Sequence, residues 1–126
     1  MNIDTLTEGI IGCCFEVSNE LGCGFLESVY EKALLIALRQ KGFTAESQVS
    51  LNVQFRGQSV GEFYADIVVD QSVIIELKSV KVLCPEHAAQ VLNYLRASDI
   101  PAGLLVNFGT SKIEYRRFNN YFETIN

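Results

Sequence analysis

Three residues of this chain have the types and spacing to do chemistry: Asp66, Glu76 and Lys78. Glu76 and Lys78 lie in Val73-Ile74-Ile75-Glu76-Leu77-Lys78, a run apolar enough to be a buried strand. Side chains alternate along a strand, so Glu76 and Lys78 share one face with Ile74. Asp66 interrupts a second apolar run, Ala65-Asp66-Ile67-Val68-Val69. Asp70-Gln71-Ser72, between the runs, has turn composition. With those residues as the loop, Val69 faces Val73 and Asp66 faces Glu76 across a hairpin. Like charges directly opposed destabilise a hairpin, and their burial costs more unless something pairs them. A divalent cation reverses that sign. Two carboxylates and a lysine on one sheet face suit metal-assisted attack on a phosphodiester.

The plain alternatives are a strand-end acid at Asp66 and a solvated edge strand carrying Glu76 and Lys78. The Val-Ile-Ile density around Glu76 favours a central strand instead.

The flanking elements must position these groups. The spacing of Leu6, Ile10, Cys14, Val17 and Leu21 predicts a first helix from about Asp4 to Leu21, with Thr5-Leu6-Thr7-Glu8 as a capping box. Gly22 and Gly24 break it. A second helix is expected from Leu26 to Gln40, with Leu26, Val29, Tyr30, Ala33, Leu34, Ala37 and Leu38 as its apolar face. Val49, Leu51, Val53 and Phe55 alternate as a strand, and Arg56-Gly57-Gln58 turns the chain. That strand, the Asp66 strand and the Glu76 strand make an antiparallel meander. Pro85 starts a third helix to about Ala97, with Ala88, Val91, Leu92 and Leu95 facing the sheet. Gly103 to Phe108 reads as a strongly apolar strand, and the intervening helix implies a parallel crossover. Ile113 to Phe118 is an edge strand or a tail. The expected order is α-α-β-β-β-α-β in one domain spanning 1–126, an α/β (α+β) fold with a mixed central sheet flanked by helices.

The bulk composition narrows the classes. The chain has 126 residues, 48% hydrophobic and 20% charged, as an ordinary globular protein does. No apolar run approaches the about 18 residues of a membrane span, and Met1-Asn2-Ile3-Asp4 lacks a signal-peptide start. A cytoplasmic location and no membrane partner are expected. Cys13, Cys14, Cys23 and Cys84 have no CxxC spacing and read as small buried thiols. The net charge of −5 argues against strong non-specific nucleic-acid binding. It is compatible with an acidic metal site that binds its substrate weakly.

Further residues carry a resemblance. Gly24-Phe25-Leu26-Glu27-Ser28-Val29-Tyr30 opens the second helix, and Gln90-Val91-Leu92-Asn93-Tyr94 lies in the third. With Asp66, Glu76-Leu77-Lys78 and Asn107-Phe108-Gly109, the chain resembles the PD-(D/E)xK nuclease superfamily, and within it the GxxExxY family. The resemblance implies a restriction-endonuclease-like core, α-β-β-β-α-β, with an extra N-terminal helix. It implies that Asp66, Glu76 and the Leu77 carbonyl would bind magnesium or manganese. Glu27 would complete the site or hold a water beside the metal. Lys78 would position the attacking water and stabilise transition-state charge. Gln90 and Tyr94, one turn apart on one helix face, would orient Lys78, the water or a phosphate. The substrate would be DNA or RNA. The proline of the superfamily's name is replaced by Ala65.

Each supporting residue also has a bland reading. Glu27 suits a helix's first turn, and Tyr30 suits the core with one polar partner for its hydroxyl. Gln90 and Tyr94 would make an ordinary surface pair. His87, the lone histidine, is expected as a hydrogen-bonding neighbour outside the metal set. Lys112, Arg116 and Arg117 are as well explained by solvation as by phosphate contact. Two functions therefore compete: a metal-dependent nuclease, and a catalytically silent nucleic-acid- or protein-binding module on the same fold. Homodimerisation and a protein partner stay open.

Overall fold

In a computed structural model the elements run α1 (Ile3–Leu21), α2 (Glu27–Gln40), β1 (Ala45–Phe55), β2 (Gln58–Val69), β3 (Val73–Lys78), α3 (Pro85–Ala97), β4 (Ala102–Asn107) and β5 (Glu114–Asn119). The structure describes residues 2–120; Met1 and 121–126 of the expected domain lie outside them.

The strands form one sheet in the order β1-β2-β3-β4-β5. β1–β2 and β2–β3 are antiparallel, β3–β4 is parallel, and β5 closes the other edge antiparallel to β4. The segment expected as an edge strand or a tail is thus an edge strand over Glu114–Asn119. Val69 pairs with Val73, Val68 with Ile74 and Ile67 with Ile75, the register expected from an Asp70-Gln71-Ser72 loop. Asp70 and Gln71 both have positive φ (50° and 55°), and Ser72 N–H donates to the Val69 carbonyl at 2.9 Å, which makes a tight primed turn.

Helices cover both sheet faces and divide the core in two. Ile67, Val69, Val73, Ile75, Leu77, Leu104 and Val106 pack under α1 and α2. Ala65, Val68, Ile74 and Leu105 pack under α3 through Val91, Tyr94 and Leu95. Gly103 lets α3 approach, because a Cβ there would meet Val91 at 2.7 Å.

Four local expectations need correction. Asn2, not Thr5, caps α1, its Oδ1 accepting from Thr5 N–H at 2.8 Å; Thr7 Oγ1 donates back to the Ile3 carbonyl at 2.7 Å. Leu26 and Val29, expected on the apolar face of α2, are exposed, while Leu35 is buried. Tyr94 takes the inward place expected of Leu92, which is only half-buried. Cys13 and Cys14 are buried thiols, but Cys23, between α1 and α2, and Cys84, the N-cap of α3, are exposed. Among the described residues no helix is long and apolar enough to cross a membrane.

Candidate active site

β2 and β3 stop pairing as a regular ladder at Ile67 and Ile75. Beyond that point side chains replace the ladder bonds. Leu77 N–H donates to Asp66 Oδ2 at 2.8 Å, and Asp66 N–H donates to Glu76 Oε1 at 3.2 Å. The two carboxylates are therefore locked to each other's strand. The apolar run that makes β3 central also buries Glu76, which is only 3% exposed. Burial foremost, then the Asp66 charge, pushes the Glu76 carboxyl from its ordinary 4.5 up to about 8; the Asp66 N–H bond and the Lys78 ammonium oppose the rise, and Glu27 adds to it. Lys78, two residues on and half-buried, thus acts on the same group.

Glu27 is exposed at the first turn of α2. Its anchor is Tyr30, fully buried, whose hydroxyl donates to the Gly22 carbonyl (2.7 Å) and accepts from Phe25 N–H (3.2 Å). The Tyr30 ring stacks on Phe108 at 4.6 Å. Ser79 Oγ donates to the Phe25 carbonyl at 2.8 Å, tying the end of β3 to the loop before α2. These contacts bring Glu27 within electrostatic reach of Glu76.

Gln90 and Tyr94 meet as their spacing predicts: Gln90 Nε2 donates to Tyr94 Oη. Tyr94 stacks on Phe63 at 4.2 Å. Burial, then the charge of Glu76 and also that of Asp66, raises the Tyr94 phenol, with the Gln90 bond opposing. Gln90, Tyr94, Phe63 and Val53 line a groove of about 700 Å³ between the β1–β2 hairpin and α3. His87 lies in the first turn of α3, where its Nδ1 accepts from Cys84 N–H at 3.1 Å, a capping role. Arg117 pairs with Asp4 at 2.7 Å, so one member of the C-terminal basic cluster is already engaged.

Two residues at the site had no functional reading in the sequence. Gln48 Nε2 donates to Glu31 Oε1 at 2.9 Å and contacts Asp66 Oδ1 at 3.5 Å. Burial raises the Glu31 carboxyl, and the Asp66 and Glu27 charges add to the rise while the Gln48 bond opposes it. Glu31 follows Glu27 by four residues, which puts both on one helix face; that spacing was the available signal. Gln48 carried none.

The donor set fits a hard cation. Asp66 and Glu76 offer carboxylate oxygens side by side, and the buried like charge on Glu76 is what a cation relieves. Leu77 N–H faces Asp66, and in an extended strand a residue's carbonyl points to the same edge. Among the described residues no three His, Cys, Asp or Glu side chains gather as a metal cluster. A pair of carboxylates is a donor set that suits a cation which keeps waters and takes substrate oxygens.

Comparison with known proteins agrees with this geometry. One solved structure, that of SSO0001, superposes with a TM-score of 0.59 at 21% identity, covering 76% of this chain and 50% of that one. This chain thus spans half the length of that protein, and the likeness is one of fold. No curated protein matches the sequence. The profile of the PD-(D/E)XK nuclease superfamily matches residues 4–118, which include every site residue described above. The restriction-endonuclease-like fold and that match together establish that the chain belongs to the PD-(D/E)XK nuclease superfamily.

Proposed function

We propose that this chain is a magnesium- or manganese-dependent nuclease of the GxxExxY type that hydrolyses phosphodiester bonds in DNA or RNA in the cytoplasm. The observation that carries the reading is the Asp66–Glu76 pair. Two adjacent carboxylates, one of them buried, are bonded across a strand pair and flanked by Lys78, an arrangement that a bound cation stabilises.

Asp66, Glu76 and the Leu77 carbonyl would hold the cation, with Glu27 completing its surroundings. When bound, the cation supplies Lewis-acid charge at the scissile phosphate and at the attacking water. Lys78 presents an ammonium to the same face, where it orients the water and offsets charge that develops on the phosphoryl oxygens. The Gln90–Tyr94 pair forms the adjacent wall and holds the substrate strand against the carboxylates. The groove beside it gives the flanking nucleotide room. With a net charge of −5, the protein has little long-range attraction for a polyanion, so weak binding by the isolated chain is expected.

The test is cleavage of end-labelled single-stranded DNA, duplex DNA and RNA in Mg²⁺, Mn²⁺ and EDTA, by the wild-type chain and by Glu76→Gln and Lys78→Ala. Divalent-dependent cleavage lost in both variants supports the reading. Cleavage that persists in EDTA or in the variants, or no cleavage of any substrate, refutes it.

A further inference from the structure

We propose that Gln48 is a positioning residue for this site: its left-handed backbone and its carboxamide together set the orientation of the Asp66 carboxylate. The catalytic consequence rests on the nuclease reading above; the orienting role does not.

Among the described residues four non-glycine positions have positive φ, and Arg56, Asp70 and Gln71 lie in hairpin turns. Gln48, at φ 51°, lies inside β1. A long side chain adopts that conformation at a cost, so something around it must hold it there. Its place opposite Asp66 follows from the register, where Ser47 pairs with Ile67 and Val49 with Ala65 on either side.

The left-handed residue turns the hairpin over. Ala45 packs in the core under α1 and α2, whereas Val49 and Leu51 pack against the core under α3, although all three are odd-numbered. β2 changes face at the same level: Ile67 and Val69 lie on the first side, Ala65 and Phe63 on the second. Asp66 sits at this change of phase, which frees its N–H to meet Glu76 Oε1. The Gln48 carboxamide then contacts Asp66 Oδ1 from one side while Leu77 N–H holds Oδ2 from the other. Its bond to Glu31 anchors that carboxamide to α2.

Gln48→Gly separates side chain from backbone, because glycine adopts positive φ freely. The Leu77 amide reports the Asp66 carboxylate directly, so the readouts are its NMR resonance and exchange rate in metal-free protein, with kcat, KM and the melting point beside them. The expected result is a displaced Leu77 resonance, at least about tenfold faster Leu77 exchange, and at least about tenfold lower kcat with KM within about twofold, at an unchanged or higher melting point. Gln48→Asn, which tolerates positive φ but is one methylene short, is expected to behave alike. An unchanged Leu77 amide in Gln48→Gly overturns the proposal, as does an unchanged kcat in a protein that cleaves. A wild-type chain that cleaves nothing refutes the nuclease reading, and the Leu77 amide then decides on Gln48 alone.

Discussion

Two buried polar groups lie toward the ends of neighbouring parallel strands, and they are built on opposite plans. Asn107, at the end of β4, is fully buried and fully used: Oδ1 accepts from Val80 N–H (3.0 Å) and Gly109 N–H (2.9 Å), while Nδ2 donates to the Val80 carbonyl (2.9 Å) and to Glu114 Oε1 (3.1 Å). That exhausts the bonding capacity of a neutral carboxamide. Glu76, on β3, is nearly as buried but faces a second carboxylate, and its proton is held up to about 8. One group closes a loop and asks for nothing more. The other is left with a charge problem that only a bound cation or proton resolves. A fold that satisfies Asn107 so completely was not forced to leave Glu76 unresolved, and that contrast supports the proposal that the carboxylates are the working end.

The comparison breaks most sharply if the two groups are removed in turn. Glu76→Gln should lower cleavage by about three orders of magnitude, the loss expected when a charge-stabilising group leaves an active site. The same variant should not lower the melting point in EDTA, since it removes the repulsion with Asp66. Asn107→Ala should do the reverse in kind, costing about 3 kcal/mol in denaturant unfolding by stranding the buried Val80 and Gly109 backbone groups. Gly109→Ala tests the same clamp from its other side, because a Cβ there would meet the Val80 backbone at 2.2 Å. If Glu76→Gln destabilised the metal-free protein as much as Asn107→Ala does, the two plans would be one.

Much of this was legible in the sequence, for an identifiable reason. The Asp66–Glu76 juxtaposition follows from two apolar runs and a short turn, because strand periodicity leaves one register that buries both runs. The pairing of Gln90 with Tyr94 follows likewise from helix periodicity. What escaped depends on partners distant in sequence. Gln48 adopts its left-handed φ where Asp66, 18 residues on, meets β1, and Glu31 finds Gln48, 17 residues away. The α1 cap was misplaced because Asn2 and Thr5 are both competent caps one turn apart. Leu26 and Val29 keep helical spacing but stay exposed, since spacing alone does not say which turns of a helix are covered.

A pH titration sharpens the contrast further. Glu76 has a folded pKa of about 8 against an ordinary 4.5. A group raised in this way contributes stability that is fully present below its ordinary value and is lost as pH rises through its folded value. In EDTA, therefore, the protein should be more stable at pH 5.5 than at pH 8.5. At about 1.4 kcal/mol per pKa unit, the ceiling between those two pH values is about 3 kcal/mol. Mg²⁺ or Mn²⁺ should recover that loss at high pH, by binding the folded state alone. Glu76→Gln should flatten the difference, Asp66→Asn should reduce it and abolish the metal effect, and Asn107→Ala should leave its slope unchanged. Melting curves at the two pH values, with and without metal, decide the matter.

The smallest effect is expected at Tyr94, where the two plans overlap. Its ring is structural: it stacks on Phe63 and fills the core under α3. Its hydroxyl belongs to the proposed site, receiving Gln90 and sensing the charge of Glu76. Tyr94→Phe keeps the first and deletes the second. The expected cost in stability is at most about 1 kcal/mol, one hydrogen bond at a half-open groove wall. Turnover should fall about three- to tenfold, the loss of one orienting contact. Gln90→Ala should give the same fall, and the double variant no more than either single one, since the two side chains act as one unit. Additive losses would mean that Gln90 and Tyr94 touch the substrate separately. A loss in stability with no change in rate would return Tyr94 to the class of Asn107, a group whose work ends with the fold.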